Sequence, residues 1–223
     1  MEGRQRWRDL LFLHWPVPAE AVRPVVPGAL PLHLHEGRAW VGVVAFEVLG
    51  ARPPLVPATL GFDFLETNAR TYVRMPGGEP AVYFLSLDAA SRLAVIAARL
   101  RYGLPYFHAD VSRRGEGDAV RCRVERRGGG DARLDLRYRT GGERGTAEPG
   151  SLDAFLVERR ALHVVRGGEV RTVRVRHEPY PLREAGSEVL EETLLEAAGV
   201  RRPADDPLVH FSDGVDVEVY VSR

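Results

Sequence analysis

The sequence of 223 residues contains no lysine, and all 31 of its Lys/Arg-type basic residues are arginine. A Schiff base forms on a primary amine that can lose its proton near neutral pH, which a guanidinium group cannot do. Only an α-amino group would remain, and nothing in the sequence ties it to a site. The absence of lysine therefore excludes any mechanism that depends on a lysine side chain.

Cysteine is almost as scarce, since Cys122 is the only one. A single cysteine cannot form an intrachain disulfide, and its strand face, shared with Val120 and Val124, predicts a small core residue. Long apolar runs are missing as well. Leu10 to Leu13 is shorter than the apolar core of a signal peptide, and no run approaches the length of a membrane span. These features predict a cytoplasmic protein with no membrane partner.

Familiar catalytic signatures are also absent. The sequence has no Ser-His-Asp signature, no glycine-rich phosphate loop and no dense cluster of cysteine and histidine. His33 and His35 form an H-x-H pair whose spacing can hold a metal ion, but no third ligand accompanies them. We therefore expect no metal and no cofactor, and we interpret the pair as structural or exposed.

The formal net charge is zero, but the charges are unevenly spread. Residues 112–176 carry 16 arginines against 10 acidic residues, whereas residues 177–223 carry 4 against 11. The arginines of the basic part alternate with apolar residues, as in Arg121-Cys122-Arg123, which is typical of a solvated sheet face. We expect no nucleic-acid partner; instead the basic and acidic parts would face one another within the fold or across a homo-oligomer.

The length suits one large β-rich domain or two small ones, and it is ample for a sizeable core. The sequence has no linker-like stretch, so we expect one domain, residues 1–223. Periodicity predicts ten or more strands with three or four helices, a mainly β (α+β) fold. We expect an antiparallel barrel-like sheet with peripheral helices; an open sandwich of two sheets is the alternative. The expected elements include a strand at Leu30 to His35, a helix at Glu188 to Gly199, and a closing hairpin of Leu208 to Phe211 with Val215 to Val221.

The strand from Phe64 to Arg74 carries an unusual row of polar side chains. Alternation places Glu66, Asn68, Arg70 and Tyr72 on one face, while the opposite face is small and apolar. Such a row either meets solvent or lines a cavity. The next strand, Ala81 to Leu87, is apolar on both faces apart from Tyr83 and Ser86, so it is covered on both sides. We therefore predict that the row lines an internal cavity, and that a carboxylate or a bound anion lies within reach of its arginine.

An amphipathic helix is expected from Ala90 to Tyr102. Its apolar positions Leu93, Ile96, Ala97 and Leu100 follow the spacing of one helix face, which we expect to pack inward. Gly103 and Pro105 would end the helix. Tyr106, Phe107 and His108 then open the next strand, where the aromatic pair serves either in core packing or in binding.

Several blocks of the sequence resemble a known family. The segments NARTYVR, VYFLSLDAAS, ARLRYGLPYFHADV, GSLDAFLVERRALHVV and HFSDGVDVEVYV are similar to those of the uncharacterised bacterial YqjF-like proteins, over about Leu10 to Val221. That family resembles acetoacetate decarboxylase in fold, which implies a site inside a barrel. The decarboxylase uses a Schiff-base lysine in a Gly-x-Pro-Lys-Lys segment. Here the corresponding segment is Gly103-Leu104-Pro105-Tyr106-Phe107, with two aromatic residues where the lysines belong.

Three hypotheses for function follow. In the first, the protein is an enzyme or binding protein for a polar or anionic small molecule. Arg70 would hold a carboxylate or enolate oxygen, and Glu66 would act as acid or base. The remaining candidate binding residues are Asn68, Tyr72, Tyr83, Tyr106 and His108. In the second, the same cavity binds a ligand without catalysis. In the third, the protein has a structural or assembly role and the polar row faces solvent.

Overall fold

The computed structural model describes residues 2–75, 78–128 and 130–221. Eleven strands within these ranges form one sheet. The strands are β1 Gly3–Val17, β2 Ala39–Arg52, β3 Phe62–Arg74, β4 Pro80–Ala89, β5 Tyr106–Glu116, β6 Ala119–Arg126, β7 Arg133–Gly145, β8 Ala161–Arg166, β9 Glu169–Arg176, β10 Leu182–Glu192 and β11 Leu208–Val221. The helices are α1 Ala19–Val22, α2 Arg92–Tyr102, α3 Leu152–Val157 and α4 Leu194–Ala197. This mostly β composition confirms the predicted fold class.

The sheet closes on itself. Strands β1, β2, β3, β4, β8, β9 and β11 are each paired with the next, and β11 pairs back onto β1. We call this closed set of strands the inner ring. Its weakest junction is between β4 and β8, which pair only at Val82 and Leu162. Strands β5, β6, β7 and β10 form a second path from β4 to β11.

Alternate residues of strands β1 and β2 point into two different cores. Leu10 and Phe12 of β1 belong to the core inside the inner ring, whereas Leu11 and Leu13 belong to the core that packs against β5 to β7. These strands have a separate core cluster on each face, because β1 and β2 are apolar on both faces and each face is covered by a separate set of residues. The expectation of one domain stays a prediction. Cys122 is buried in the second core.

Three of the expected secondary-structure elements are wrong: the strand at Leu30 to His35, the helix at Glu188 to Gly199 and the closing hairpin. Residues 30–35 make only isolated bridges, Leu32 with Val73 and His35 with Arg38, and Pro31 removes one backbone donor from any longer ladder. Most of the expected helix at Glu188 to Gly199 belongs to strand β10 and the short helix α4, because Glu188 pairs with Arg137 of β7. Pairing across the sheet has here overridden the helical pattern.

The expected closing hairpin is one continuous strand, β11. Its residues pair with β1 from Leu208 opposite His14 to Val219 opposite Gly3, so the Asp213-Gly214 step is no turn. Gly214 has a φ of 131°, and a Cβ atom there would lie 2.1 Å from the Trp7 carbonyl oxygen. Glycine is needed at this step because β1 and β11 approach each other closely there.

Helix α2 turns a different face inward from the one predicted. Ser91 caps the helix by accepting a hydrogen bond from the Ala94 amide, and Gly103 ends it with a positive φ of 71°. Leu93, Ile96 and Leu100 are 76, 55 and 75% exposed, whereas Ala94 and Val95 are buried. Ala97, the fourth predicted position, is exposed as well, and α2 borders the space inside the inner ring with Ala94, Ala97 and Ala98. No helix in the described ranges combines the length and apolarity needed to cross a membrane.

Candidate functional site

A cavity of about 400 Å³ lies inside the inner ring. Most of its wall is apolar, with residues from eight strands and from α2. The lining includes Phe12, Phe46, Glu66, Asn68, Arg70, Phe84, Leu162, Val173, Val175 and Tyr180. Helix α2 contributes Ala94, Ala97, Ala98, Arg101 and Tyr102, and Tyr106 follows from the start of β5. Pockets of this size with few polar groups are typical small-molecule sites.

The polar row of β3 is enclosed. Glu66, Asn68 and Arg70 are 5, 3 and 8% exposed, and all three line the cavity. The row alternates with Thr67, Ala69 and Thr71, which are buried on the opposite face of the strand. Tyr72, the last predicted member, lies beyond the cavity wall and donates a hydrogen bond to the Leu156 carbonyl oxygen over 2.8 Å.

Glu66 is held by a tyrosine from a neighbouring part of the sheet. The Tyr106 hydroxyl donates a hydrogen bond to Glu66 Oε2 over 2.8 Å. Burial raises the pKa of Glu66 to about 7, and the Asp88 charge adds to that rise, while hydrogen bonds from Tyr106 and Asn68 oppose it. Burial and the neighbouring Glu66 also raise the pKa of Tyr106 well above its usual value. Glu66 can therefore accept or release a proton near neutral pH.

Arg70 is the charged group at the deep end of the cavity. Its Nη2 donates to the Leu156 carbonyl oxygen over 2.9 Å, close to the end of helix α3, where carbonyl groups favour a cation. The guanidinium also lies 5.5 Å from the ring centroid of Phe12. Its Nε is buried without a hydrogen-bond partner, and no carboxylate of the described chain forms an ion pair with it. The first of the two expectations for Arg70, a carboxylate within reach, is therefore not met in that part of the chain, and the second, a bound anion, stays a prediction.

A second buried arginine stands behind the first. Arg159 is 8% exposed, and its guanidinium lies 5.0 Å from the ring centroid of Tyr72 and 4.4 Å from that of Phe155. Its Nε and Nη2 are buried without partners. Burial lowers the pKa of Arg159 to about 10, and the Arg70 charge contributes to the lowering. The Arg70 guanidinium lies 5.8 Å from the same Tyr72 centroid, so two guanidinium groups border Tyr72 and make the deep end of the ring electropositive.

The sequence reasoning missed Arg159 and also His14. His14 is fully buried on β1, 6.2 Å from the Tyr72 ring, and burial together with Arg70 lowers its pKa well below 6.5. Its position in the row of Leu10 and Phe12 on β1 was the available signal. For Arg159, which follows α3 in a Glu-Arg-Arg run, no periodic signal existed.

Two predicted site residues lie away from the cavity. Tyr83 packs against the second core, because alternation along β4 gives the cavity side to Val82 and Phe84. His108 lies two residues after Tyr106 on β5, opposite Ala89, and does not line the cavity. Of the candidate residues, the structure therefore brings Glu66, Asn68, Arg70 and Tyr106 together around the cavity, with Tyr72 just behind its wall.

A buried ion pair supports the wall behind Glu66. Arg126 Nε and Nη2 donate to the two carboxylate oxygens of Asp88 over 2.7 and 2.8 Å, and both side chains are almost fully buried. The Arg126 guanidinium lies 3.9 Å from the ring centroid of Phe107. Phe107 thus serves in packing, and the pair joins β4 to β6, with Asp88 opposite Thr67 of β3.

His33 and His35 both pack on Phe155, with ring centroids 4.9 and 5.0 Å away. Burial lowers the pKa of His33 to about 4. Within residues 2–75, 78–128 and 130–221, no group of three or more His, Cys, Asp or Glu side chains is placed to hold a metal ion.

Comparison with known proteins identifies the family. The family model DUF2071, described as an uncharacterised conserved protein, matches residues 4–216. The chain belongs to the DUF2071 family. It is 37% identical over 217 residues to the uncharacterised protein YqjF of Bacillus subtilis (strain 168), which covers 96% of this chain and 88% of the relative. These matches confirm the resemblance to YqjF-like proteins.

Solved structures extend the comparison to the fold. The DUF2071 chain is similar to the enduracididine biosynthesis enzyme MppR complexed with pyruvate, with a TM-score of 0.65 and 12% identity over 99% of this chain and 90% of that one. It is equally similar to the acetoacetate decarboxylase of Legionella pneumophila, with a TM-score of 0.65 and 12% identity over 100% and 88% of the two chains. An acetoacetate decarboxylase-like enzyme of Sphingomonas wittichii RW1 has a TM-score of 0.61 and 14% identity, over 99% and 91%. The fold is therefore that of acetoacetate decarboxylase-like proteins.

Proposed function

We propose that this DUF2071 protein binds a small organic acid inside the inner ring, with the carboxylate on Arg70. The observation that carries this proposal is a buried guanidinium on the cavity wall with no carboxylate partner in the described chain. An isolated buried charge is costly. A ligand carboxylate would offset that cost, because a guanidinium binds it through two parallel hydrogen bonds.

Glu66 gives the site a group that can move a proton. Its pKa of about 7 leaves both protonation states populated near neutral pH, which is what a general acid or base requires. Tyr106 holds the carboxyl group in place, and Asn68 lies between Glu66 and Arg70 on the same strand face. We propose proton transfer to or from the bound acid as the reaction class.

The structural neighbours support a small organic acid as the ligand, but this protein cannot use a lysine Schiff base. MppR was solved with pyruvate, a keto acid. A decarboxylase that uses a lysine Schiff base has no counterpart here, because this sequence contains no lysine. Tyr106 follows Gly103-Leu104-Pro105 where the decarboxylase segment carries its first lysine, and it bonds to Glu66 instead.

The same cavity also suits a binding protein without catalysis, which needs Arg70 but makes no use of a titrating Glu66. A purely structural role explains the molecule less well. That hypothesis placed the polar row in solvent, whereas Glu66, Asn68 and Arg70 are buried.

Calorimetry with pyruvate and acetoacetate tests the binding proposal. We expect Arg70→Met to weaken binding about 10- to 100-fold, the range for losing hydrogen bonds to a charged group. Arg74→Met is the matched control, since Arg74 is an exposed arginine at the end of the same strand. Equal affinities in the wild type and Arg70→Met would contradict the proposal.

Exchange of the ligand's carbon-bound hydrogen for deuterium, followed by NMR, separates the enzyme from the binding protein. In this reaction Glu66 takes a proton from the carbon next to the ketone and returns a deuteron from solvent. An enzyme should catalyse exchange and lose it in Glu66→Gln while keeping its affinity. A protein that binds the acid without accelerating exchange would be the non-catalytic alternative.

A further inference from the structure

The cavity is long and has unlike ends. Along β3 its lining residues run from Phe62 to Arg70, eight residues or about 26 Å of strand. At the Phe62 end the wall meets solvent, since that ring is 41% exposed. At the Arg70 end the cavity is closed by Tyr72, His14 and Leu156, all almost fully buried.

The wall between the two ends is mainly apolar. Strands β8, β9 and β11 contribute Leu162, Val173, Val175 and Val219, which offer no hydrogen-bonding side chain. Phe12 and Phe46 continue the apolar surface on β1 and β2. The charged side chains on the lining, apart from Glu66 and Arg70, are Glu2, Arg52 and Arg101. All three lie towards the open end: Arg52 follows Ala51, the partner of Phe62, and Arg101 forms an ion pair with Glu2, two residues before the partner of Arg52 on β1.

A three-carbon acid on Arg70 would occupy only the deep end and leave the apolar wall against water. Apolar surface removed from water is what a ligand's hydrocarbon body contributes to affinity. We infer that the ligand is a carboxylic acid with an extended apolar body, whose carboxylate meets Arg70 and whose body runs along the apolar wall towards Phe62. This inference rests on the proposed function, because it places the carboxylate on Arg70.

Straight-chain saturated acids from propionate to decanoate, measured by calorimetry at pH 7, test the inference. We expect the affinity to rise about four-fold for each added methylene, the transfer free energy of one CH₂ group, and to level off when the body reaches the open end. Val175→Thr, which places a hydroxyl in the wall at nearly constant volume, should weaken decanoate several-fold and leave propionate unchanged. Val170→Thr is the matched control on the same strand, since Val170 packs against the second core.

The Arg70→Met variant distinguishes the inference of an extended apolar ligand from the proposed function, in which Arg70 binds the carboxylate. Affinity that does not change with chain length, while Arg70→Met still weakens every acid, would overturn the inference and leave the proposed function standing. Affinity that is unchanged by Arg70→Met for acids of all lengths would overturn both. Circular dichroism and a thermal melt on each variant show that the folded protein is being compared.

Discussion

Tyr106 donates a hydrogen bond to Glu66 over 2.8 Å, and so joins β5 to β3 inside the inner ring. The two residues are 40 positions apart in the sequence. They meet because β5 runs parallel to the end of β4, with Tyr106 opposite Leu87 and Glu66 opposite Ala89. The bond fixes the carboxyl group of Glu66 against the wall of the cavity.

Glu66→Gln should change how stability depends on pH. A carboxyl group with a native pKa of about 7 favours folding most at pH values below its unfolded pKa, near 4.5, and loses that contribution as the pH rises to 7. The variant cannot titrate there. We therefore expect the free energy of unfolding of the variant, relative to that of the wild type, to rise by about 3 kcal/mol between pH 4.5 and pH 7.5. Urea unfolding across this range measures the difference, and the exposed Glu178→Gln corrects for the loss of one negative charge. If the difference in the free energy of unfolding between the wild type and Glu66→Gln stays constant across this pH range, the pKa of Glu66 is not raised.

Tyr106→Phe should raise the pKa of Glu66 further. The Tyr106 hydrogen bond favours the ionised carboxylate and opposes the rise caused by burial, so its removal leaves burial less opposed. An NMR titration of the glutamate carboxyl carbon measures the pKa directly. Tyr102→Phe, at another tyrosine of the cavity wall, is the control and should leave the Glu66 titration in place. A fall in the Glu66 pKa in Tyr106→Phe would contradict the bond as described.

The two buried arginines Arg70 and Arg126 should respond differently to replacement by methionine. Arg126→Met leaves Asp88 buried and unpaired, which typically costs about 3 to 5 kcal/mol. Arg70→Met removes a charge that has no carboxylate partner in the described chain. The Leu156 carbonyl keeps its bond from Tyr72, so the loss should be at most about 1 kcal/mol. Urea unfolding of both variants tests this contrast; similar losses would mean that Arg70 is paired in solution.

Helix α2 should tolerate changes on its outer face. Leu93→Ala and Leu100→Ala alter exposed side chains and should change the free energy of unfolding by no more than about 0.5 kcal/mol. Val95→Ala removes buried methyl groups and should cost about 1 to 2 kcal/mol. Thermal or urea unfolding of the three variants compares the faces. A larger loss of stability in Leu93→Ala and Leu100→Ala than in Val95→Ala would support the inward face that the sequence pattern predicted.

Borohydride trapping with acetoacetate should give no adduct on any side chain. The sequence contains no lysine, and arginine does not form a Schiff base. Intact mass spectrometry after reduction, followed by peptide mapping, measures the outcome. A reduced adduct on a side chain would contradict the exclusion.

The sequence by itself determined the exclusions and the polar row. A chain without lysine cannot form a side-chain Schiff base, whatever its fold. The alternation of Glu66, Asn68, Arg70 and Tyr72 predicted one strand face, because side chains of an extended strand alternate by local geometry alone. Motif blocks sufficed for the family and, through it, for the fold.

Only the tertiary structure decided which groups meet. Arg159 reaches Tyr72 from a segment after α3, and Tyr106 reaches Glu66 from another strand, because strand pairing brings distant segments together. The same pairing turned the pattern at Glu188 to Gly199 into β10 and merged the expected hairpin into β11. It also decided that α2 buries Ala94 and Val95 rather than the leucines. Local periodicity records which faces of an element differ, whereas the surface that covers each face depends on contacts far away in the sequence.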